Sequence, residues 1–164
     1  PVPAPPIVLS SSHGDVFSLQ EQQGKLVLVF FGYTFCPDVC PTTLVEMMQV
    51  KKKLGKPAEN VEFVFITVDP KRDTQEQLTR YLKSFDASFY VLSGYQDTLS
   101  QVWKDYGVFR EEQTSEGMSG YLVDHSSRLY LIDQDGNLRA TYLFETPVDD
   151  IVGDLKFLLK KGRS

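Results

Sequence analysis

The sequence predicts an α/β domain: one central mixed β-sheet with helices on both faces and a β-hairpin at its N-terminal end. Three observations predict it. Leu26 to Phe31 is a continuous apolar run, as a strand buried on both faces is, and Val61 to Val68 reads as a second central strand. Each is followed by apolar residues at helical spacing, and β-α-β crossovers make neighbouring strands parallel. Near the C-terminus an Asp135-Gly136 turn joins two further strands, which adds an antiparallel pair.

Pro1, Pro3, Pro5 and Pro6 make a stiff, extended start, so residues 1–6 read as a proline-rich linker or the end of a tether. Pro1 in place of Met reads as the start of a processed or shortened chain. Residues 7–164 read as one domain. Val8 to Leu19 holds two short apolar stretches around Ser-Ser-Ser-His-Gly-Asp, a hairpin with its turn near His13 and Gly14. Gly32 ends the first central strand. Pro41 opens a helix with Leu44, Met47, Met48 and Leu54 on one face, and Gly55 closes it. After the second central strand, Asp73-Thr-Gln-Glu76 has the form of a capping box, followed by Leu78, Tyr81, Leu82 and Phe85. Phe89 to Leu92 is a short strand. Asp97 is placed to cap a helix carrying Leu99, Val102, Trp103 and Tyr106, which stops at Gly107. Arg110 to Gly120 is polar and reads as a mobile loop. Arg128 to Ile132 and Leu138 to Phe144 are the final strands, and Thr146-Pro147 starts the last helix, ending at Gly162. This order fits a three-layer, thioredoxin-like arrangement.

With 164 residues, the chain is long enough to bury a core without disulfide staples. Its 17 basic and 22 acidic residues leave a net charge of −5, which argues against a nucleic-acid binder. No apolar run approaches the roughly 20 residues that span a bilayer. Nothing calls for an oligomer, and a monomer is expected.

Two cysteines and two histidines make the search for chemistry short. Both cysteines lie in Gly32-Tyr-Thr-Phe-Cys36-Pro-Asp-Val-Cys40-Pro41, where the first buried strand hands over to the first helix. A helix N-terminus offers free N–H groups and partial positive charge, so both thiols are expected to have lowered pKa values. Residues four apart share a helix face, so the two sulfurs can form a disulfide or hold one metal ion between them. Inert core cysteines are the plainer alternative. The spacing excludes a Cys-x-x-Cys redox pair and a Cys-x-x-Cys-His haem site. Four-ligand zinc would consume every Cys and His in the chain. A radical iron–sulfur motif would need a third Cys where Thr43 stands. Two thiolates with one imidazole suit copper, especially Cu(I).

His125, in Tyr121-Leu-Val-Asp124-His125-Ser, sits in a loop just before the strand from Arg128. In a thioredoxin-like sheet that loop faces the cysteine loop and carries a cis-proline, yet this chain has no proline between Pro70 and Pro147. His125 there would point at the sulfurs; a surface loop histidine is the alternative. Asp124 is placed to orient the imidazole from behind. His13 reads as a polar turn residue. Met118 is a soft donor in the polar loop, and Met47 and Met48 are spaced as core residues.

These residues carry a resemblance. Phe30-Phe-Gly-Tyr-Thr-Phe-Cys36-Pro-Asp-Val-Cys40-Pro-Thr-Thr-Leu44 resembles the signature of the Sco/SenC family of copper-binding, thioredoxin-like proteins. Thr67-Val-Asp69-Pro70-Lys-Arg72-Asp73-Thr resembles its DPxRD segment, and Tyr121-Leu-Val-Asp124-His125-Ser its third-ligand segment. The three come in the family's order and span the domain from about Ile7 to Leu159. One departure is Phe35, where many relatives carry His before the first Cys. The resemblance implies that one copper ion, as Cu(I) or Cu(II), binds Cys36, Cys40 and His125. It implies a part in building the CuA centre on subunit II of cytochrome c oxidase. It also implies an N-terminal membrane tether, with the domain in the periplasm or cell envelope, or alternatively in the mitochondrial intermembrane space. The DPxRD segment is implied to be structural or partner-facing, while a helix cap explains Asp73 by itself.

Three functions follow. A copper metallochaperone holds the ion in an open Cys-Cys-His site and passes it to the CuA domain. A thiol–disulfide oxidoreductase uses Cys36 and Cys40 as a redox pair to reduce the CuA-site cysteines, with Cys36, earlier in the loop, the expected attacker. Another copper donor or a thiol reductant would then be a second partner. A thiol peroxidase ranks last, because Pro-x-x-x-Thr-x-x-Cys fits neither cysteine.

Overall fold

Leu26–Gly32 is buried along its whole length, and the sheet is built outward from it. The computed structural model describes residues 2–36, 39–113, 122–125 and 128–162, with 39, 113 and 122–125 described by backbone alone. The strands are β1 (Val2–Pro3), β2 (Val8–Ser11), β3 (Val16–Ser18), β4 (Leu26–Gly32), β5 (Val61–Thr67), β6 (Tyr90–Ser93), β7 (Arg110–Gln113), β8 (Leu122–His125), β9 (Arg128–Ile132) and β10 (Asn137–Leu143). The helices are α1 (Val39–Leu54), α2 (Gln75–Lys83), α3 (Gln96–Asp105) and α4 (Val148–Lys161). Eight strands form one sheet in the order β1-β10-β9-β4-β5-β6-β2-β3, and β7 and β8 pair as a separate antiparallel ribbon. β4, β5 and β6 are parallel; β9 runs antiparallel beside β4, and β10 antiparallel beside β9.

Alternation along β4 sends Phe30 and Phe31 to opposite faces. Phe30 meets Phe65 edge-on, and Phe65 faces Tyr81 of α2. The Cys40 sulfur at the start of α1 lies on this face beside Gly32, and α4 packs against α1 and β4. On the other face Phe31 meets Tyr106, which follows α3, and Tyr130 of β9. Helices therefore cover both faces of a mixed sheet, the three-layer thioredoxin-like arrangement, with the β2–β3 hairpin added beside β6.

The structure differs from the sequence reading in several places. The proline-rich start pairs from Val2 onward: Val2 and Pro3 lie opposite Leu138 and Asn137, and the Tyr106 hydroxyl donates to the Pro5 carbonyl at 2.7 Å. Proline lacks an N–H donor, so an outer edge is where a strand tolerates it. α1 begins at Val39, ahead of Pro41, which puts Cys40 in its first turn. α2 is capped by Thr74, whose side chain accepts from the Gln77 N–H; Asp73 turns inward instead. Two capping patterns offset by one residue compete there, and burial of Asp73 decides between them. α3 is capped at Tyr95, so Asp97 lies inside its first turn and caps nothing. Arg110–Gln113, expected to be mobile loop, is β7, while residues 114–120 lie outside the described ones. Among the described residues no helix is long and apolar enough to cross a membrane.

Candidate metal centre

Register brings three segments to one edge of the sheet. β4 and β5 pair in step from Leu26–Val61 to Gly32–Thr67 and end together. β9 runs antiparallel with Leu129 opposite Phe30, so it starts at that edge. Residues 33–36 leave β4 there, residues 68–74 leave β5 there, and β8 ends three residues ahead of β9.

Cys36 closes a turn in which its N–H donates to the Tyr33 carbonyl. Its sulfur accepts the backbone N–H of Cys40 at 3.4 Å. Sulfur thus takes the place of a capping oxygen on α1, whose first turn contains no acidic residue to compete for the positive end of the helix. Both cysteines are reduced. Cys36 keeps 9% of its surface exposed and Cys40 none. Gly32 is what lets β4 end so close: a Cβ there would stand 2.7 Å from the Phe30 ring and 3.0 Å from the Cys40 sulfur.

The expectation that both thiols have lowered pKa values does not hold for Cys40. Burial pushes its thiol up, the neighbouring Cys36 sulfur adds to the rise, and a backbone group of Tyr33 offsets only part of it. A helix N-terminus stabilises an anion, but full removal from water costs more.

The DPxRD segment is the brace of the cysteine loop. Asp73, 1% exposed, accepts the Thr34 hydroxyl at 2.6 Å, the Thr34 N–H, and the Thr67 hydroxyl at 2.7 Å. Burial raises its carboxyl, and these hydrogen bonds from Thr34 and Thr67 offset part of the rise. Gln77 of α2 donates to the Thr34 hydroxyl, tying the same loop a second time. Asp69, fully buried, accepts from Arg72 Nε at 2.6 Å and holds its guanidinium over the rings of Tyr33 and Phe35. Phe35 is half exposed, and its ring is the platform for Arg72, a role the residue ahead of a cysteine fills by stacking.

β8 pairs antiparallel with β7, His125 opposite Arg110 and Asp124 opposite Glu111. His125 therefore ends a strand, where the sequence reading put a loop. The side chains of Asp124 and His125, and the whole of Met118, lie outside the described residues. Among the described residues no cluster of three metal-ligating side chains forms. His13 stands at the opposite end of the sheet, in the β2–β3 turn and against the Tyr90 ring, away from the sulfurs. Met47 is buried in the core, with Met48 packed against it.

A profile of the SCO1/SenC family matches residues 4–160. The chain belongs to this family. One relative, the SCO2-like protein RP587 of Rickettsia prowazekii (strain Madrid E), is 35% identical over 148 residues, covering 90% of this chain and 72% of that one. The structure of Bradyrhizobium japonicum ScoI with copper bound superposes with a TM-score of 0.86 at 35% identity, over 96% of this chain and 99% of that one. BsSco, described with a disulfide switch and as a member of the Sco family of cytochrome c oxidase assembly proteins, superposes with a TM-score of 0.76 at 27% identity, over 97% and 94% of the two chains.

Sequence reasoning passed over Thr34, Thr67, Gln77 and Arg110, all of which act at this edge. Thr34, Gln77 and Arg110 carry no spacing signal of their own, since each meets its partner across about forty residues of chain. Thr67 meets Asp73 six residues on, and its nearest available signal was a polar residue at the end of a largely apolar central strand.

Proposed function

We propose that this chain is a copper metallochaperone that binds one copper ion through Cys36, Cys40 and His125 and serves assembly of the CuA centre on cytochrome c oxidase subunit II. The carrying observation is the convergence at one sheet edge: two reduced cysteines with the Cys40 N–H on the Cys36 sulfur, and the backbone of His125 ending the strand just ahead of β9. Two soft sulfurs and one imidazole suit Cu(I) and accept Cu(II), and three ligands leave a position through which an acceptor's thiolates enter. The copper-bound relative and membership of the family support this reading. A setting in the periplasm or cell envelope, on a membrane tether, goes with it; a mitochondrial intermembrane setting is the alternative.

The test loads reduced protein with one equivalent of copper and mixes it with the apo CuA domain, its thiols already reduced. Copper transfer and the purple CuA spectrum are expected. A parallel titration of His125→Ala is expected to lose copper affinity while still forming the Cys36–Cys40 disulfide; undiminished affinity would remove His125 from the ligand set.

A second reading, thiol–disulfide exchange, draws on the contrast between the two thiols. Cys36 is the accessible sulfur and has a helix N–H on it; Cys40 is sealed, and burial keeps it protonated. The Cys36 thiolate attacks one sulfur of an oxidised target, and the other target sulfur leaves as thiolate. Cys40, giving up its proton, then attacks Cys36, and the second target thiol departs. The target gains two electrons and two protons, and this chain ends as the disulfide. If the acceptor's disulfide is reduced but copper reaches it only from another donor, this reading replaces the first.

A further inference from the structure

Among the described residues the β7–β8 ribbon shares no backbone ladder with the main sheet. A two-stranded ribbon is marginal by itself in water, so something must fix it against the body. The contacts run from β7 to the segment that follows β5. Arg110 Nε donates to the Val68 carbonyl at 2.8 Å, and its guanidinium lies over the Trp103 ring, 5.6 Å from the centroid. Trp103 in turn donates its indole N–H to the Thr67 carbonyl at 3.0 Å, so cation and ring grip consecutive carbonyls at the end of β5. Glu112 accepts from Arg110 Nη2 and from Lys71 Nζ, both at 3.1 Å, which closes a second link to the same segment.

Residues 67–73 therefore do two jobs. Through Thr67 and Asp73 they hold the cysteine loop; through Val68 and Lys71 they hold β7. Arg110 is also the backbone partner of His125.

We propose that Arg110 is a positioning residue for the third copper ligand: its guanidinium, anchored on the Val68 carbonyl and the Trp103 ring, sets where the strand ending in His125 stands relative to Cys36 and Cys40. This rests on the copper reading above. Its consequence separates the two activities of the site. Loss of the anchor frees the histidine strand but leaves the cysteine loop, braced by Asp73, in place. Arg110 thus tunes copper holding without touching thiol exchange. The side chain keeps 17% of its surface exposed and bonds a carbonyl through one N–H, so Arg110→Lys keeps a positive charge but loses the planar stack and the fixed geometry of the fork.

The experiment uses the full chain as five proteins: parent, Arg110→Ala, Arg110→Lys, His125→Ala and the Arg110→Ala/His125→Ala double variant. Each is titrated with Cu(II) against a competing chelator. Cu(II) EPR is recorded for nitrogen coupling, and the Cys36–Cys40 disulfide potential is measured in thiol buffers. Arg110→Ala is expected to bind Cu(II) about tenfold more weakly, the size of effect that removing an outer support has on metal sites. Its EPR spectrum is expected to broaden or lose nitrogen coupling, and its disulfide potential to match the parent's. In the His125→Ala background the same substitution is expected to have no further effect. Arg110→Lys is expected to fall between parent and Arg110→Ala. Unchanged affinity in Arg110→Ala, with His125→Ala impaired, overturns the positioning role alone. An equal loss in both backgrounds overturns it too, since the effect then bypasses the histidine. Unchanged affinity in His125→Ala overturns the copper reading beneath it.

Discussion

The cysteine loop and the β7–β8 ribbon sit at the same sheet edge but are fastened by different physics. Asp73 and Asp69, both buried, hold the loop through hydrogen bonds to Thr34, Thr67 and Arg72 inside the protein. Among the described side chains the ribbon is held by Lys71 and Glu112, which pair at the surface, and by Arg110, which reaches inward. Hydrogen bonds in low dielectric are strong and costly to leave unmade, whereas exposed ion pairs are weak and screened by salt. The site thus has a stiff half that sets sulfur geometry and a softer half that presents the histidine.

The largest effect is expected from the stiff half. Asp73→Ala leaves the Thr34 N–H and hydroxyl and the Thr67 hydroxyl without their acceptor, and a loss of about 3 kcal/mol follows from roughly 1–3 kcal/mol per buried orphan. Urea unfolding checks it, and the Cys36 thiol should react faster with a labelling reagent once its loop is loose. A stability change under half that size would mean the loop is braced elsewhere. Gly32→Ala comes next. The added methyl meets the Phe30 ring, the Phe65 ring and the Cys40 sulfur at 3.0 Å or less, an overpacking expected to cost about 1–3 kcal/mol and to slow disulfide formation by displacing Cys40.

A smaller effect is legible in pH. The folded carboxyl of Asp73 titrates above its unfolded value of about 3.9, chiefly because it is buried. Across that window the folded state binds more protons, so stability is fullest below the unfolded pKa and declines as pH rises to the folded one. Asp86 has the opposite sign. Burial raises it, but hydrogen bonds from Lys51 and Ser88 outweigh burial and hold it below its ordinary value. Its contribution is present above the unfolded pKa and lost as pH falls through the folded one. Asp73→Asn should therefore remove a decline on the alkaline side of pH 4, and Asp86→Asn a gain on the acid side. Urea midpoints between pH 2.5 and 7 read both, and identical slopes in parent and variant would deny the residue its assigned part.

The smallest expected effect belongs to the ribbon. Glu112→Gln should hardly move the urea midpoint, because its pair with Lys71 is solvent-exposed and its pair with Arg110 only partly buried. The same variant should make Cu(II) affinity less dependent on ionic strength than the parent's, since one screened link has been removed. If its urea midpoint falls as far as that of Gly32→Ala, the ribbon is part of the rigid core and the contrast between the halves disappears.

The elements that form this fold were legible where burial is periodic or continuous along the chain. β4 announces itself as an unbroken apolar run, β5 as a largely apolar one interrupted by Glu62, and α2 and α4 as apolar stripes. The strand-to-helix position of the two cysteines follows from the same signals, and so does the donor chemistry of two sulfurs and an imidazole. The sequence could not say that β7 is a strand. Arg-Glu-Glu-Gln has no apolar period, and its order comes from a guanidinium meeting a carbonyl forty-two residues away.

Asp73 shows the same division. In sequence it opens a capping box; in space Thr74 caps the helix and the carboxylate faces inward to hold Thr34, thirty-nine residues back. For Cys40 the local signal even had the wrong sign. Its place in a helix's first turn predicts a lowered pKa, and only the packing of Phe30, Phe65 and Gly32 around it decides that desolvation wins. Local chemistry, repeated at fixed spacing, is written in the chain itself. Which of several competing local options is taken depends on dielectric and on distant partners, and those exist only once the sheet edge has assembled.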